Sequence, residues 1–150
     1  MKLLTIRIAT EQDKYDIIKL SQKWESENIT YGYIANTYEA LRKYTIWSAL
    51  YDDCVIGFLM GHHTNSEDWC IIPKDNAIFC IEDFYILPEF RDKGIGQILF
   101  DFVEKALKDS QIDYILLNTA TKDYARIQNF YTEKLDIKVW TTTLFKNLGN

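Results

Sequence analysis

Two adjacent carboxylates, Glu82 and Asp83, stand on an apolar run that leads through Pro88 into a basic turn, Arg91-Asp92-Lys93-Gly94-Ile95-Gly96. A carboxylate beside a bound ammonium can take its proton directly or through water, and a glycine-containing turn can hold an anion by backbone alone. The turn opens a helix. From Gly94 onward the apolar residues Ile95, Ile98, Leu99, Phe102, Val103, Ala106 and Leu107 fall at helical spacing, with Asp101, Glu104, Lys105 and Lys108 turned outward. Gly94 and Gly96 therefore lie at a helix N-terminus, where the first N–H groups have no intrahelical partner and the macrodipole is positive. A phosphate binds there if no Cβ stands in the way, and Arg91 and Lys93 add charge at the mouth.

Spacing separates three kinds of phosphate-binding turn. A nucleotide P-loop needs G-x-x-x-x-G-K-[ST], but Gly94 is the first glycine after Gly61 and no Lys-Ser or Lys-Thr follows it. A dinucleotide fingerprint needs a third glycine where this chain has Leu99, and its strand near the start of a parallel βαβ unit. What remains is R-x-x-G-x-G after a strand ending in Ile86-Leu87-Pro88. This resembles the pyrophosphate turn of the GNAT superfamily, the acetyl-CoA-dependent N-acetyltransferases.

The elements that would position these residues follow from pattern. Leu3 to Ile8 reads as a strand, and Thr10-Glu11-Gln12-Asp13 as a capping box, with Asp for Glu, opening a helix to about Trp24. Glu25 to Tyr44 is less regular, with a short helix starting after Asn36 or Thr37. Ile46 to Tyr51 and Cys54 to Gly61 read as a hairpin across Asp52-Asp53. His62 to Asn76 reads as a long polar connection, Ala77 to Leu87 as a strand, Tyr114 to Leu117 as a buried strand, Asp123 to Lys134 as a helix, and Ile137 to Phe145 as a final strand or strand pair. Nothing in this order argues for a second domain, and residues 1–150 are read as one. The resemblance implies an α/β (α+β) GNAT fold: a mixed, mostly antiparallel sheet of about six or seven strands, about four flanking helices, and two strands splayed apart to form an acetyl-CoA cleft.

The same resemblance implies roles. The backbone of Phe84, Tyr85 and Ile86 would pair with the pantetheine arm, as a peptide adds to a sheet edge. Arg91, Asp92, Lys93, Gly94, Ile95, Gly96 and Gln97 would cradle the pyrophosphate. Tyr124 stands where an asparagine commonly contacts the cofactor. Acetyl transfer to an amine needs a neutral nucleophile, stabilisation of an oxyanion and a proton for the leaving thiolate. An alkylammonium has a pKa of about 10.4, so a carboxylate is wanted as base. Glu82 is the first candidate and Asp83 the second. On a regular strand Glu82 shares a face with Ile78, Cys80, Phe84 and Ile86, and Asp83 with Ile81 and Tyr85, so only one faces the acceptor unless a bulge intervenes. A backbone N–H of Tyr85 or Ile86 would polarise the acetyl carbonyl. Asn129-Phe130-Tyr131 resembles the family's late helix ending in Phe-Tyr-x-x-x-Gly, which makes Tyr131 the proton donor; Leu135-Asp136 stands where Leu-Gly is usual.

Ile81-Glu82-Asp83-Phe84 together with Asn129-Phe130-Tyr131 resembles segments of diamine acetyltransferases. The activity implied is direct transfer, in a ternary complex, from acetyl-CoA to a primary amine of a small, cationic molecule. The alternatives are a protein or peptide N-acetyltransferase and a CoA-binding sensor without chemistry. Tyr31, Tyr33 and Tyr38 could wall a cation, and Glu25, Glu27, Glu67 and Asp68 would suit a polycation but read first as solvated surface.

Composition narrows the field. A net charge of −5 argues against sequence-independent nucleic-acid binding, which needs a basic stripe. No apolar stretch approaches the roughly 18 residues of a membrane span, and no targeting segment is visible, which reads as cytoplasmic. Cys54, Cys70 and Cys80 read as core or bystander thiols. His62 and His63 are adjacent, so on a strand they point to opposite faces and form no metal site. The apolar, β-branched stretch Trp140 to Leu148 suggests a homodimer paired across a two-fold axis.

Overall fold

The computed structural model describes residues 3–149. The first strand, β1 (Leu4–Ile8), runs into helix α1 (Glu11–Glu27) through a reciprocal cap. Thr10 Oγ1 accepts from Asp13 N at 3.1 Å, and the Asp13 carboxylate accepts from Thr10 N at 2.9 Å. Asp13 is buried, and the Arg7 guanidinium at 3.0 Å balances it. α1 ends beyond the expected Trp24, at a left-handed Asn28. A short helix α2 (Tyr38–Leu41), capped by Thr37, precedes β2 (Thr45–Tyr51) and β3 (Cys54–Asn65). Then come β4 (Ala77–Ile86), a 3₁₀ turn at Pro88–Phe90, α3 (Ile95–Asp109), β5 (Tyr114–Leu117) and α4 (Tyr124–Asn129).

The strands lie in the order β1-β2-β3-β4-β5, antiparallel through β4, with β5 parallel to β4. Both faces are covered. α3 packs Ile95, Leu99, Phe100, Val103 and Leu107 against Trp47, Leu59, Phe79, Ile81 and Ile86. On the opposite face α1 and α2 bring Ile17, Leu20 and Leu41 onto Ile46, Leu50, Phe58, Met60 and Tyr85. Removing these side chains from water is the dominant favourable contribution to folding.

Three expectations change. Among the described residues the sheet has five strands, not six or seven, because Ile137 to Phe145 forms no strand. That tail has β-forming residues but no ladder to join. Side chains hold it instead, with Trp140 beside Trp69 and the Phe145 edge on Tyr31, while Val139, Leu144 and Leu148 stay exposed. Second, His62 to Asn65 belong to β3, paired with Cys80 back to Ala77, so the polar connection is only residues 66–76. Backbone pairing there overrides polar side chains. Third, the late helix is not α-helical to Lys134: after α4 the chain makes a π-turn over Phe130–Lys134. Four residues separate Tyr131 from Asp136 where the family pattern has three before glycine, and i→i+5 bonding absorbs the extra one. Asp136 then takes the left-handed φ of 53° that suits a glycine.

Candidate active site

The site is built on an irregularity of β4. Met60 pairs with Asp83, but the next residue, Gly61, pairs with Ile81, which leaves Glu82 as a one-residue bulge. Parity flips across it. Phe79 and Ile81 before the bulge and Ile86 after it pack into the α3-side core, with Phe84 against the same cluster, while Tyr85 lies on the α1 side. The alternation expected of a regular strand is therefore broken, and Glu82 and Asp83 both line one cleft. Gly61 permits this: a Cβ there would sit 2.1 Å from the Cys80 carbonyl oxygen.

The cleft opens where β4 and β5 part. Their parallel pairing ends at Ile81 and Leu117, and β4 continues alone to Ile86. Leu87 N donates to Ile56 O on β3, and N–H directions alternate along a strand, so Phe84 and Ile86 present their N–H groups to the side β5 has left. This favours Ile86 over Tyr85 as the candidate oxyanion donor. The cleft has a volume of about 690 Å³ and is bounded across the gap by Asn118 to Thr121. Its roof is a small clasp: Thr30 bridges Thr121, Tyr31 N donates to Ala120 O at 2.8 Å, and Lys122 N donates to Ile29 O at 2.8 Å.

At one end lies the turn. Gly94 is left-handed, with φ 78° and open space where a Cβ would stand, and Asp92 has φ 59°. Such turns gather N–H groups into anion-binding concavities. Ile95, Gly96 and Gln97 supply the free N–H groups of the first turn of α3. Side chains of the expected set behave differently from one another. Arg91 donates to both carboxylate oxygens of Glu27 at 2.8 and 3.0 Å and to Ile86 O at 2.8 Å, and lies over the Tyr85 ring, so its charge is internally balanced. Lys93 turns away to Glu89 O at 2.8 Å, and Ile95 is in the core. Gln97 lines the cleft and donates to Lys134 O at 3.1 Å. Gly96 lies against Phe130, whose ring a Cβ would approach to 3.3 Å. Tyr124 is exposed and outside the cleft. Lys134 lines the cleft at this end, as does an exposed cation that the sequence reading missed, Arg126, 3.2 Å from Asp123 and 3.6 Å from Asp92. Its signal was a position one helical turn before Phe130.

At the other end lie the acids. Asp83 is half-buried and accepts from Tyr33 Oη at 3.0 Å and Asn36 Nδ2 at 2.8 Å. Burial pushes its carboxyl above the usual range, partly offset by those two bonds. Glu82 is half-exposed, and its Oε1 lies 3.1 Å from His62 Nδ1. Tyr131 lines the cleft between the two ends. Burial pushes its phenol up to about 12, and no protein group among the described residues bonds its hydroxyl. Tyr31 and Tyr33 line the cleft, whereas Tyr38 bonds Glu11 elsewhere. Glu27 is bound by Arg91 and Tyr85 and is no surface acid. Asn36 and His62 carried no local sequence signal, since the first depends on an irregular loop and the second on the register of β3.

The five-stranded mixed sheet is thus split at one strand pair, with a glycine-containing turn at one end of the gap and carboxylates at the other. The Acetyltransferase (GNAT) family model matches residues 11–136, and the chain belongs to that family. It is similar to a transcriptional regulator from Bacillus halodurans C-125, with 19% identity, TM-score 0.73, and 97% and 100% of the two chains covered. An aminoglycoside acetyltransferase from an uncultured soil metagenomic sample has the same fold, at 14% identity, TM-score 0.70 and coverage of 97% and 96%. The α-tubulin N-acetyltransferase of Plasmodium falciparum is 33% identical over 88 residues, 58% of this chain. The match spans 46% of that protein's length.

Proposed function

We propose that this protein transfers the acetyl group of acetyl-CoA to a primary amine that arrives as a cation. The observation that carries this is the Glu82 bulge, which turns two carboxylates into the cleft that also holds Tyr131 and the free backbone of Phe84 and Ile86. The chain's features fit the co-substrate: a gap flanked by unpaired strand backbone, and an anion turn whose Gly94 leaves room for phosphate. Acetyl-CoA supplies the activated acyl group and a thiolate leaving group.

Phe84 holds the pantetheine arm by backbone, and the N–H groups at Gly94 to Gln97, with Arg126, hold the pyrophosphate. Glu82 takes one proton from the acceptor ammonium, and Asp83, fixed by Tyr33 and Asn36, orients the amine. Ile86 N–H stabilises charge on the acetyl oxygen, and Tyr131 protonates the departing sulfur. Tyr131 suits that role because its hydroxyl is protonated at neutral pH and uncommitted.

A second acceptor class, an amine of a protein, is favoured by the similarity to an α-tubulin N-acetyltransferase. Thiol release from acetyl-CoA decides between them, with spermidine, an aminoglycoside, free amino acids, an N-terminal peptide and a lysine-bearing tubulin peptide in parallel. Turnover confined to the small amines supports the first reading. Turnover confined to a peptide replaces it with the second. Acetyl-CoA binding with silence across the panel rejects both in favour of a CoA-binding sensor.

A further inference from the structure

We propose that His62 is the proton exit of this site, a positioning residue that holds the Glu82 carboxylate toward the cleft and carries the acceptor's proton on to solvent. The inference rests on the acetyl-transfer reading above. Its basis is geometric. The bulge lifts Glu82 out of the β3 ladder, and the register of that ladder brings His62 Nδ1 to within 3.1 Å of Glu82 Oε1. The two side chains are 41% and 42% exposed, so the pair spans from a cleft-lining carboxylate to bulk water.

The groups facing His62 leave it alone in this task. From β4 they are Cys80, directly opposite in the register, and the two acids Glu82 and Asp83; from the chain before β2 it is Tyr44, whose ring lies 6.3 Å away. His63 points to the other face, against Phe79. Glu82 has no lysine or arginine partner among the described residues, and its one ionic neighbour is an imidazole. A permanent cation would neutralise the carboxylate without removing a proton, whereas an imidazole has one nitrogen that can accept a proton and another that can release one. Asp83 has no such outlet, being enclosed by Tyr33 and Asn36.

The steps balance. An ammonium N–H bond breaks as an O–H bond forms on Glu82; that bond breaks as an N–H bond forms on Nδ1 of His62 in its Nε2–H tautomer. The imidazolium's Nε2–H bond then breaks to water, leaving Nδ1–H donating to the Glu82 carboxylate, and exchange with water restores the Nε2–H tautomer for the next turnover. The amine's second proton, released on attack, replaces the one Tyr131 gives to the thiolate. Each turnover delivers one proton to bulk through His62.

The test uses the full chain, acetyl-CoA and spermidine, or the panel amine that responds if spermidine does not. His62→Ala is expected to lower kcat about 10- to 100-fold, with acetyl-CoA Kd unchanged by calorimetry, and added imidazole is expected to restore much of the loss. His62→Gln keeps a hydrogen bond to the carboxylate but carries no proton, and is expected to stay as slow as His62→Ala and to flatten the acidic limb of the pH–rate profile. His62→Gln turning over at the wild-type rate, or a loss in His62→Ala that imidazole does not touch, overturns the relay while acetyl transfer stands. Wild-type protein silent with every amine removes acetyl transfer and the relay together.

Discussion

Single side chains in this cleft gain their chemistry from what surrounds them. Tyr131 is a case where burial is the whole cause: with its phenol pushed up to about 12, it keeps its proton through any ordinary assay. Tyr131→Phe is expected to lower kcat about 10- to 100-fold with acetyl-CoA Kd unchanged, measured by steady-state thiol release and calorimetry. An alkaline limb below pH of about 10 that disappeared in this variant would count against the assignment. Asp83 shows the opposite consequence of burial. Its folded carboxyl binds a proton more tightly than the unfolded one, so its stabilising contribution is full below the ordinary carboxyl range and is lost as pH rises through the folded value. Asn at this position keeps both accepted hydrogen bonds and cannot ionise. Asp83→Asn is therefore expected to gain in melting temperature over wild type as pH rises from about 4 to about 7. A pH-independent difference would show that ionisation of Asp83 is not what costs stability.

Elements decide where those side chains point. The acid pair acts as a pair only because β4 carries one residue more than β3 across the bulge, and Gly61 is what lets the two strands stay close there. A Cβ at this position meets the Cys80 carbonyl and the Phe79 ring at 2.1 to 2.8 Å, and backbone cannot move aside cheaply. Gly61→Ala is expected to cost about 3 kcal/mol in urea unfolding and to depress turnover beyond what the loss of folded protein explains. An unchanged unfolding midpoint would mean the strands have room to separate. The other determining element is the turn after β4. Arg91, which a sequence reading sends to the phosphate, instead fastens this turn to α1 through Glu27 and to the end of β4 through Ile86 O. The groups left open at this turn are backbone N–H groups and Arg126, to which the proposed function assigns the phosphate.

At the scale of the molecule, a sheet that ends at β5 leaves the C-terminal tail without a strand partner among the described residues, held by ring contacts of Trp140 and Phe145. Leu144, Phe145 and Leu148 are 86%, 75% and 75% exposed, an unusual amount of apolar surface on consecutive turns of chain. Self-association through this tail is the expected result. Sedimentation velocity is expected to show a species larger than one chain, reverting to monomer when the chain is truncated after Asp136. A clean monomer for the untruncated chain would end the idea.

Much of the frame was legible because it rests on local rules. Helical spacing after Gly94, a capping box at Thr10 and a turn at Asp52-Asp53 are written in neighbouring residues, and each forms where the pattern puts it. The turn and the strand before it were legible for the same reason, whereas Tyr131 was singled out by resemblance to a family segment. What the sequence could not show was anything decided between segments. The bulge that turns both acids into the cleft depends on the register of β4 against β3, which the residues of β4 do not state. The same register makes His62 a neighbour of Glu82. Arg91's partner lies 64 residues away in α1. The C-terminal tail has strand-forming residues, yet strand is a relation between two backbones, and its partner edge is not encoded in the tail itself. Local propensity chose the elements of this protein, while pairing and packing across long sequence separations chose which side chains meet in the cleft.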